Sequence, residues 1–439
     1  MSPAVQSRAQ RIEQGKALRK QTPRAAHGRV LGPFQRDANA ILEGQNARRL
    51  PSLVGLRRAL MSADPFAYLR GAAAVMAHDL QYQAMAGIPV QACGDCHLMN
   101  FGAFVTPEDN ILFDINDFDE TLPGVDFTVD LKRLAVSFAV AGEALGASKS
   151  TRHDIAGEAV RAYRKRIALL SEKTPMEVWH SRVDLEQEAK NFEDADLRRK
   201  LLTIIGCARG AGLDRDDNFP KLAGANGILE KPPRLFHFKP DSEAGQAFDP
   251  QSGFARYGAA LPPERRALLE RYALKDCVFK AVGVGSVGTC CYVGLFQNGD
   301  GAPLLLQVKE AGPSVLEALA PAFGRHQGQR VVEGQRMMQA ASDIFLGWTE
   351  HDPSDRHYYV RMLKNRRLGS VSEIAQAEGL SDYARLCGRT LARAHARSAD
   401  PALLAGYMGD SGAFDEAIAD FALAYAKRNE IDQAALAKT

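Results

Sequence analysis

Gly94-Asp95-Cys96-His97-Leu98-Met99-Asn100 is the stretch that decides how this chain is read. An aspartate able to accept a hydroxyl proton is followed five positions on by an asparagine able to hold Mg²⁺. That is the spacing of a phosphotransfer catalytic loop. Downstream, Ile115-Asn116-Asp117-Phe118-Asp119 ends a strand-like run in Asp-Phe-Asp, where such a site places its second metal-binding aspartate. Asp117 begins the triplet and is favoured over Asp114 and Asp119. Asp119 is either a further metal ligand or an exposed acid.

The companion motif lies far downstream. Gly283-Val284-Gly285-Ser286-Val287-Gly288 fits G-x-G-x-x-G, which serves two kinds of phosphate site. A dinucleotide fold needs a helix to begin at the glycines. Here they precede Thr289-Cys290-Cys291-Tyr292-Val293, which is β-branched and aromatic. This favours a glycine-rich hairpin over nucleotide phosphates, with Gly283, Gly285, Ser286 and Gly288 as the cradle. Glu310 keeps the dinucleotide alternative open, since its distance imitates a ribose-binding acid. Pro303-Leu-Leu-Leu-Gln-Val-Lys309 is an apolar strand ending in one lysine, as V-A-I-K does, and places an ammonium for the α- and β-phosphates. Such a lysine needs a carboxylate partner on the following helix; Glu333 is the first choice and Glu317 the reserve.

Composition excludes little. The 439 residues are 46% hydrophobic with net charge +2, enough for two or three cores and no global field for nucleic acid. No apolar run suits a signal peptide or a membrane span. Seven cysteines, an odd number, fit a reducing cytoplasm better than a disulfide framework. Residues 1–36 carry eight Lys/Arg against Glu13 alone and read as a solvated, partly mobile basic arm.

Periodicity predicts helices over 37–86, a short strand at 87–91 and another at 111–115, with Asp95 and Asp117 at the ends of a hairpin. A helix follows over 126–144, then a charged helical region over 150–235. Residues 240–257, rich in Gly, Pro and Asp, read as a linker. Antiparallel strands over 276–309 turn at Asn298-Gly-Asp-Gly301, followed by a helix near 329–341, a strand at 358–363 and helices from 372. Asp130 reads as structural, capping its helix or bracing the Asp95 loop, and His97 as a packing residue. Cys93-Gly-Asp-Cys96 is a C-x-x-C without the second ligand pair of a zinc site or the helix start of a redox dithiol.

These segments together make the chain resemble the uncharacterised bacterial domain-of-unknown-function family 2252. The resemblance rests on Asp64-Pro-Phe-Ala-Tyr-Leu-Arg70-Gly71, residues 93–102, 113–124, 130–134, 282–292 and 307–311, and Leu391-Ala-Arg-Ala-His-Ala-Arg397. The Asp95 loop is also similar to the G-D-x-H-x-x-N loop of aminoglycoside and choline kinases. That resemblance implies an α+β, two-lobed, protein-kinase-like fold, circularly permuted. Residues 1–62 would form the basic arm and first helices, 63–265 the catalytic helical lobe, 266–365 the nucleotide-binding β lobe, and 366–439 helices returning to the helical lobe. Asp95 would be the base, Asn100 and Asp117 the Mg²⁺ ligands, and Lys309 the contact to ATP. The helix before residue 87 and that at 391–397 compete to support the Asp95 loop. Asp130 follows Asp117 by only thirteen positions, too few for a protein-kinase activation segment, so a small hydroxylated acceptor held by 150–235 is expected. Nucleotidyl transfer to protein and nucleotide binding without turnover are the alternatives.

Overall fold

The computed structural model describes residues 6–31, 36–106, 110–210, 222–224, 227–281, 283–351, 355–363 and 379–438. It is an α+β structure in which a six-stranded antiparallel sheet meets a larger helical body along a cleft.

Four short strands carry the loops that line the cleft. β1 (Pro89–Ala92) pairs with β4 (Leu122–Asp126), and β2 (Phe101–Val105) pairs with β3 (Ile111–Ile115). Asp95 therefore lies just before one ribbon and Asp117 just after it. Ile111–Ile115 is buried at every position, so this ribbon is packed on both faces and its register is held. Two helices press on it from behind. Thr128–Ala144 is buried nearly all round, and Leu380–Ala396 packs along Lys149–Leu170. Their approach is close because Gly388 stands where a Cβ would meet the Ala159 carbonyl oxygen.

β5 (Ala223–Gly224) and β6 (Gly227–Ile228) form a minimal ribbon, and β7 (Leu235–Phe236) edges the main sheet. That sheet continues through β8 (Ala273–Lys280), β9 (Cys291–Gln297), β10 (Pro303–Glu310), β12 (Arg356–Met362) and β11 (Gly347–His351). Side chains alternate across it. Phe279, Tyr292, Phe296, Leu306, Val308, Tyr358 and Val360 enter one core, and Val278, Val293, Leu295 and Leu305 the other. The turn joining β9 to β10 is held by Asn298, whose Oδ1 accepts from the N–H groups of Asp300 and Ala302.

Two expectations are corrected. Residues 240–257 are no linker. They form helices Glu243–Ala247 and Pro250–Ala260, and Phe248, Phe254 and Tyr257 sit in the core against the sheet. Gly/Pro/Asp content there reflects caps: Ser242 and Asp249 accept from the first-turn N–H groups, with Pro250 at a helix start. Nor is the described part of the basic arm loose. Helix Arg8–Leu18 docks on Pro401–Met408 with Gly15 against the Leu403–Tyr407 backbone and Gly406 against the Ile12 backbone; a Cβ on Gly15 would lie 2.1 Å from the Leu403 oxygen. Its charges are engaged too, Arg11 with Asp400 and Arg19 with the Tyr407 carbonyl.

Candidate active site

The Asp95 loop is built from its backbone outward. Gly94 has φ +93°, and a Cβ there would meet the Glu120 carbonyl oxygen at 2.4 Å. Only glycine permits both, so the Asp95 and Asp-Phe-Asp loops touch at this point. The N–H groups of Cys93 and Gly94 donate to the two oxygens of buried Asp130, at 2.8 and 3.0 Å. His395 Nε2 lies 3.1 Å from the same carboxylate, and Tyr163 backs His395. Ser137 accepts from the Leu98 N–H, and the Tyr383 hydroxyl donates to the Leu98 carbonyl. The helix that carries most of the loop is thus Thr128–Ala144, with Leu380–Ala396 behind it. The helix before residue 87 does not carry it.

Asp95 itself is held by Arg133, whose Nε donates to Oδ1 at 2.6 Å. Oδ2 remains toward the cavity, 3.6 Å from His97 Nε2. Burial lowers His97 to about 4, so it is neutral at pH 7; its Nδ1 accepts from the Met99 N–H. Asn100 Nδ2 donates to the Asp95 carbonyl at 2.7 Å, which leaves its hard oxygen donor available. The Asn116 N–H donates to the Asn100 carbonyl at 2.9 Å, so Asn100 and the Asp117 segment are adjacent.

Lys309 reaches the same place from the sheet. With Leu306 and Val308 directed into the core, Gln307 and Lys309 face the cleft, beside their cross-strand partners Arg361 and Tyr359. Lys309 Nζ lies 2.6 Å from Asp119 Oδ2, and the Tyr359 hydroxyl donates to Asp119 Oδ1 at 2.6 Å. Ser286 Oγ completes the set at 3.2 Å. Asp119, 190 residues from Lys309, is its carboxylate partner. Glu333 is not. It projects to solvent and bonds Gln329 and Arg325, because the inward side of helix Gln327–Met338 is occupied by Arg330 and Gly334. Glu317 lies nearer Arg330, and no bond joins it to Lys309 among the described residues. Arg330 bonds the carbonyls of Asp119, Thr121 and Gly312, fixing the Asp-Phe-Asp loop against the sheet side.

The electrostatics of the two aspartates diverge. Burial and the charge of Asp119 raise Asp117, against the opposing pull of Lys309 and Arg361. Burial also acts on Asp119, but Lys309 and the hydrogen bonds from Lys309 and Tyr359 outweigh it and lower it to about 2. Lys309 is desolvated yet held strongly protonated by Asp119.

Gly283, Gly285 and Ser286 belong to the connection between β8 and β9, a short turn centred on Val284–Ser286. It lies directly over the Asp95 loop: a Cβ on Gly285 would stand 3.1 Å from the Arg70 carbonyl oxygen and 3.9 Å from Asp95 Oδ2. Gly288 has φ +90° and touches Arg49. Arg49 in turn bonds the carbonyls of Gly285 and Val287, and the Leu50 N–H donates to Gly288.

Asp95, Asn100, Asp117, Asp119, Gly283, Gly285, Ser286 and Lys309 line one cavity of about 720 Å³, whereas Gly288, expected in the cradle, is not among its described lining residues. That volume suits a ligand of nucleotide size. Among the described residues, none of the lining comes from 150–235, the expected acceptor wall. The facing wall is contributed by residues 41–81, including Arg48, Arg70 and His78. Sequence reasoning missed this wall and the Lys309–Asp119 pair; the second acid of Asp-Phe-Asp was the available signal for the latter. Cys93, Cys96 and Asp130 cluster closely but are fully buried, with both thiols pushed up by burial.

No curated protein and no solved structure matches the chain. A family model described as "Uncharacterized protein conserved in bacteria (DUF2252)" matches residues 49–439, a span that takes in the Asp95 loop, the glycine turn and Lys309 alike. The chain belongs to the DUF2252 family.

Proposed function

We propose that this protein is an ATP- and Mg²⁺-dependent phosphotransferase with a two-lobed, kinase-like architecture in permuted order, passing the γ-phosphoryl group to the hydroxyl of a small acceptor. The observation that carries the reading is the Lys309–Asp119 pair, which joins the strand lysine to the Asp-Phe-Asp loop beside Asp95. Chain order does not change such a site, because both halves line one cleft.

The donor set fits a hard divalent cation. Asn100, Asp117 and Asp119 offer oxygen ligands, and burial together with the neighbouring charge of Asp119 raises Asp117, a penalty that a bound cation would relieve. Mg²⁺, when bound there, would neutralise charge on the phosphates. Lys309 and the glycine turn bind and orient the triphosphate. Asp95, with Oδ1 fixed by Arg133, takes the acceptor's proton on Oδ2. The acceptor oxygen bonds to the γ-phosphorus, the bond to the β–γ bridging oxygen breaks, and its electron pair leaves with ADP. Such transfer depends mainly on positioning and charge neutralisation.

The test is incubation with Mg²⁺ and ATP labelled at the γ- or α-phosphate, across a panel of hydroxylated metabolites. Transfer of γ label is expected. Asp95→Ala should lose about two to four powers of ten in rate while still binding ATP. Transfer of α label would make the protein a nucleotidyltransferase, and binding without transfer a regulator. Equal turnover by Asp95→Ala would remove the proposed base.

A further inference from the structure

The segment Asp64-Pro-Phe-Ala-Tyr-Leu-Arg70-Gly71 has no role in the mechanism above, yet it forms part of the cavity wall. It folds as helix Pro65–Gly71, opened by Asp64, which accepts from the Ala67 N–H at 2.7 Å, and by Pro65 at the first position. Tyr68 and Leu69 are buried, and Gly71 packs against the Met61 side chain with no room for a Cβ.

The backbone on either side of Arg70 is pinned. Arg133, which holds Asp95, also donates to the Leu69 carbonyl at 2.8 Å. Arg57 donates to the Gly71 carbonyl at 2.9 Å. Arg70 is therefore fixed to the same guanidinium that orients Asp95. Its side chain lies at the glycine turn, with Nη2 3.5 Å from where a Cβ on Gly283 would stand. Its buried Nε has no hydrogen-bond partner, and among the described residues no carboxylate pairs with it. Its charge is felt at His97. A guanidinium with open donors thus stands at the glycine turn, on the wall of the cavity that Asp95 also lines. Arg133 answers the charge of Asp95 and Lys309 that of Asp119. Arg70 is left for an anion from outside the chain.

We infer that Arg70 binds the γ-phosphoryl group of the nucleotide and neutralises charge on its oxygens during transfer, an arginine supplied in cis. The inference rests on the phosphotransfer reading and adds to it a phosphate-reading residue on the helical wall. Planar paired donors match phosphate oxygens better than an ammonium does, so lysine is a poor substitute.

Two measurements separate this inference from the reading beneath it. The first is calorimetric binding of Mg-ATP and Mg-ADP to wild type, Arg70→Lys and Arg70→Ala, with melting curves to show that each variant folds. The second is γ-label transfer by the same proteins. Arg70→Ala should weaken ATP binding at least about tenfold with ADP nearly unchanged, and slow transfer by about 10³-fold. Arg70→Lys should recover only part of the transfer, and millimolar guanidinium should partly rescue Arg70→Ala. Equal weakening of ATP and ADP, or unchanged transfer, overturns the role of Arg70 while leaving phosphotransfer intact. Wild type that binds ATP without transferring label refutes phosphotransfer, and the ATP-to-ADP ratio still judges Arg70. Wild type that binds neither nucleotide removes both.

Discussion

Asp117 and Asp119 stand two residues apart and titrate in opposite directions, which makes them the sharpest place to test the site. Asp119 is lowered to about 2, so its interactions add stability above its ordinary 3.8, and that contribution is lost as pH falls toward 2. The difference in urea midpoint between wild type and Asp119→Asn should therefore be largest near pH 5 and shrink toward pH 2.5. A constant difference across that range would contradict the Lys309–Asp119 pair. Asp117 works the other way. Its raised value means that ionisation is penalised in the folded state, so its contribution is present below about 3.8 and lost as pH rises through the raised value. Asp117→Asn should then melt higher than wild type at pH 7 without metal, while losing any Mg²⁺-dependent stabilisation. A lower melting temperature in that variant would show that Asp117 is not a strained ligand. Sequence spacing singles out Asp95, Asn100, Asp117 and Lys309, and they line one cavity. Spacing does not reveal that the lysine's partner comes from the Asp-Phe-Asp loop. Glu333 lies about 100° round its helix from Gly334, on the solvent side, and nothing in the local sequence fixes that rotation.

Among the elements, helix Thr128–Ala144 does most to shape the loop. Asp130 satisfies two buried N–H groups, and Asp130→Ala would leave both without an acceptor at roughly 1–3 kcal/mol each. The variant should unfold at markedly lower urea concentration and lose ATP-dependent turnover together. Stability unchanged to within about 0.5 kcal/mol would refute Asp130 as the brace of the loop. The capping or bracing role of Asp130 was legible from its position ahead of Leu131-Lys132-Arg133-Leu134. The packing of 240–257 was not. Its composition favours turns, and the decisive signal was the spacing of Phe248, Phe254 and Tyr257, which share one core. Composition reports caps and starts as readily as loops, since the same residues serve both.

For the molecule as a whole, contacts that close the cleft join stretches very distant in sequence: Lys309 with Asp119, Arg330 with Thr121, and Arg49 with Gly285. Sequence reading can propose that such stretches meet but cannot derive it from local pattern, because long-range pairing depends on the folded whole. A ligand that binds across these contacts stabilises the folded state by mass action, about 2.7 kcal/mol at one hundred times its dissociation constant. Mg-ATP should accordingly raise the melting temperature of wild type and much less that of Lys309→Ala. Equal shifts in the two proteins would argue against Lys309 as a phosphate contact. Arg49 adds a kinetic corollary. With its guanidinium already bonded to two carbonyls of the glycine turn, that turn forfeits its conformational freedom during folding rather than on meeting a ligand. Capture of a nucleotide should therefore be a single rapid phase in stopped-flow traces, and cutting the rivet with Arg49→Ala should introduce a slow second phase.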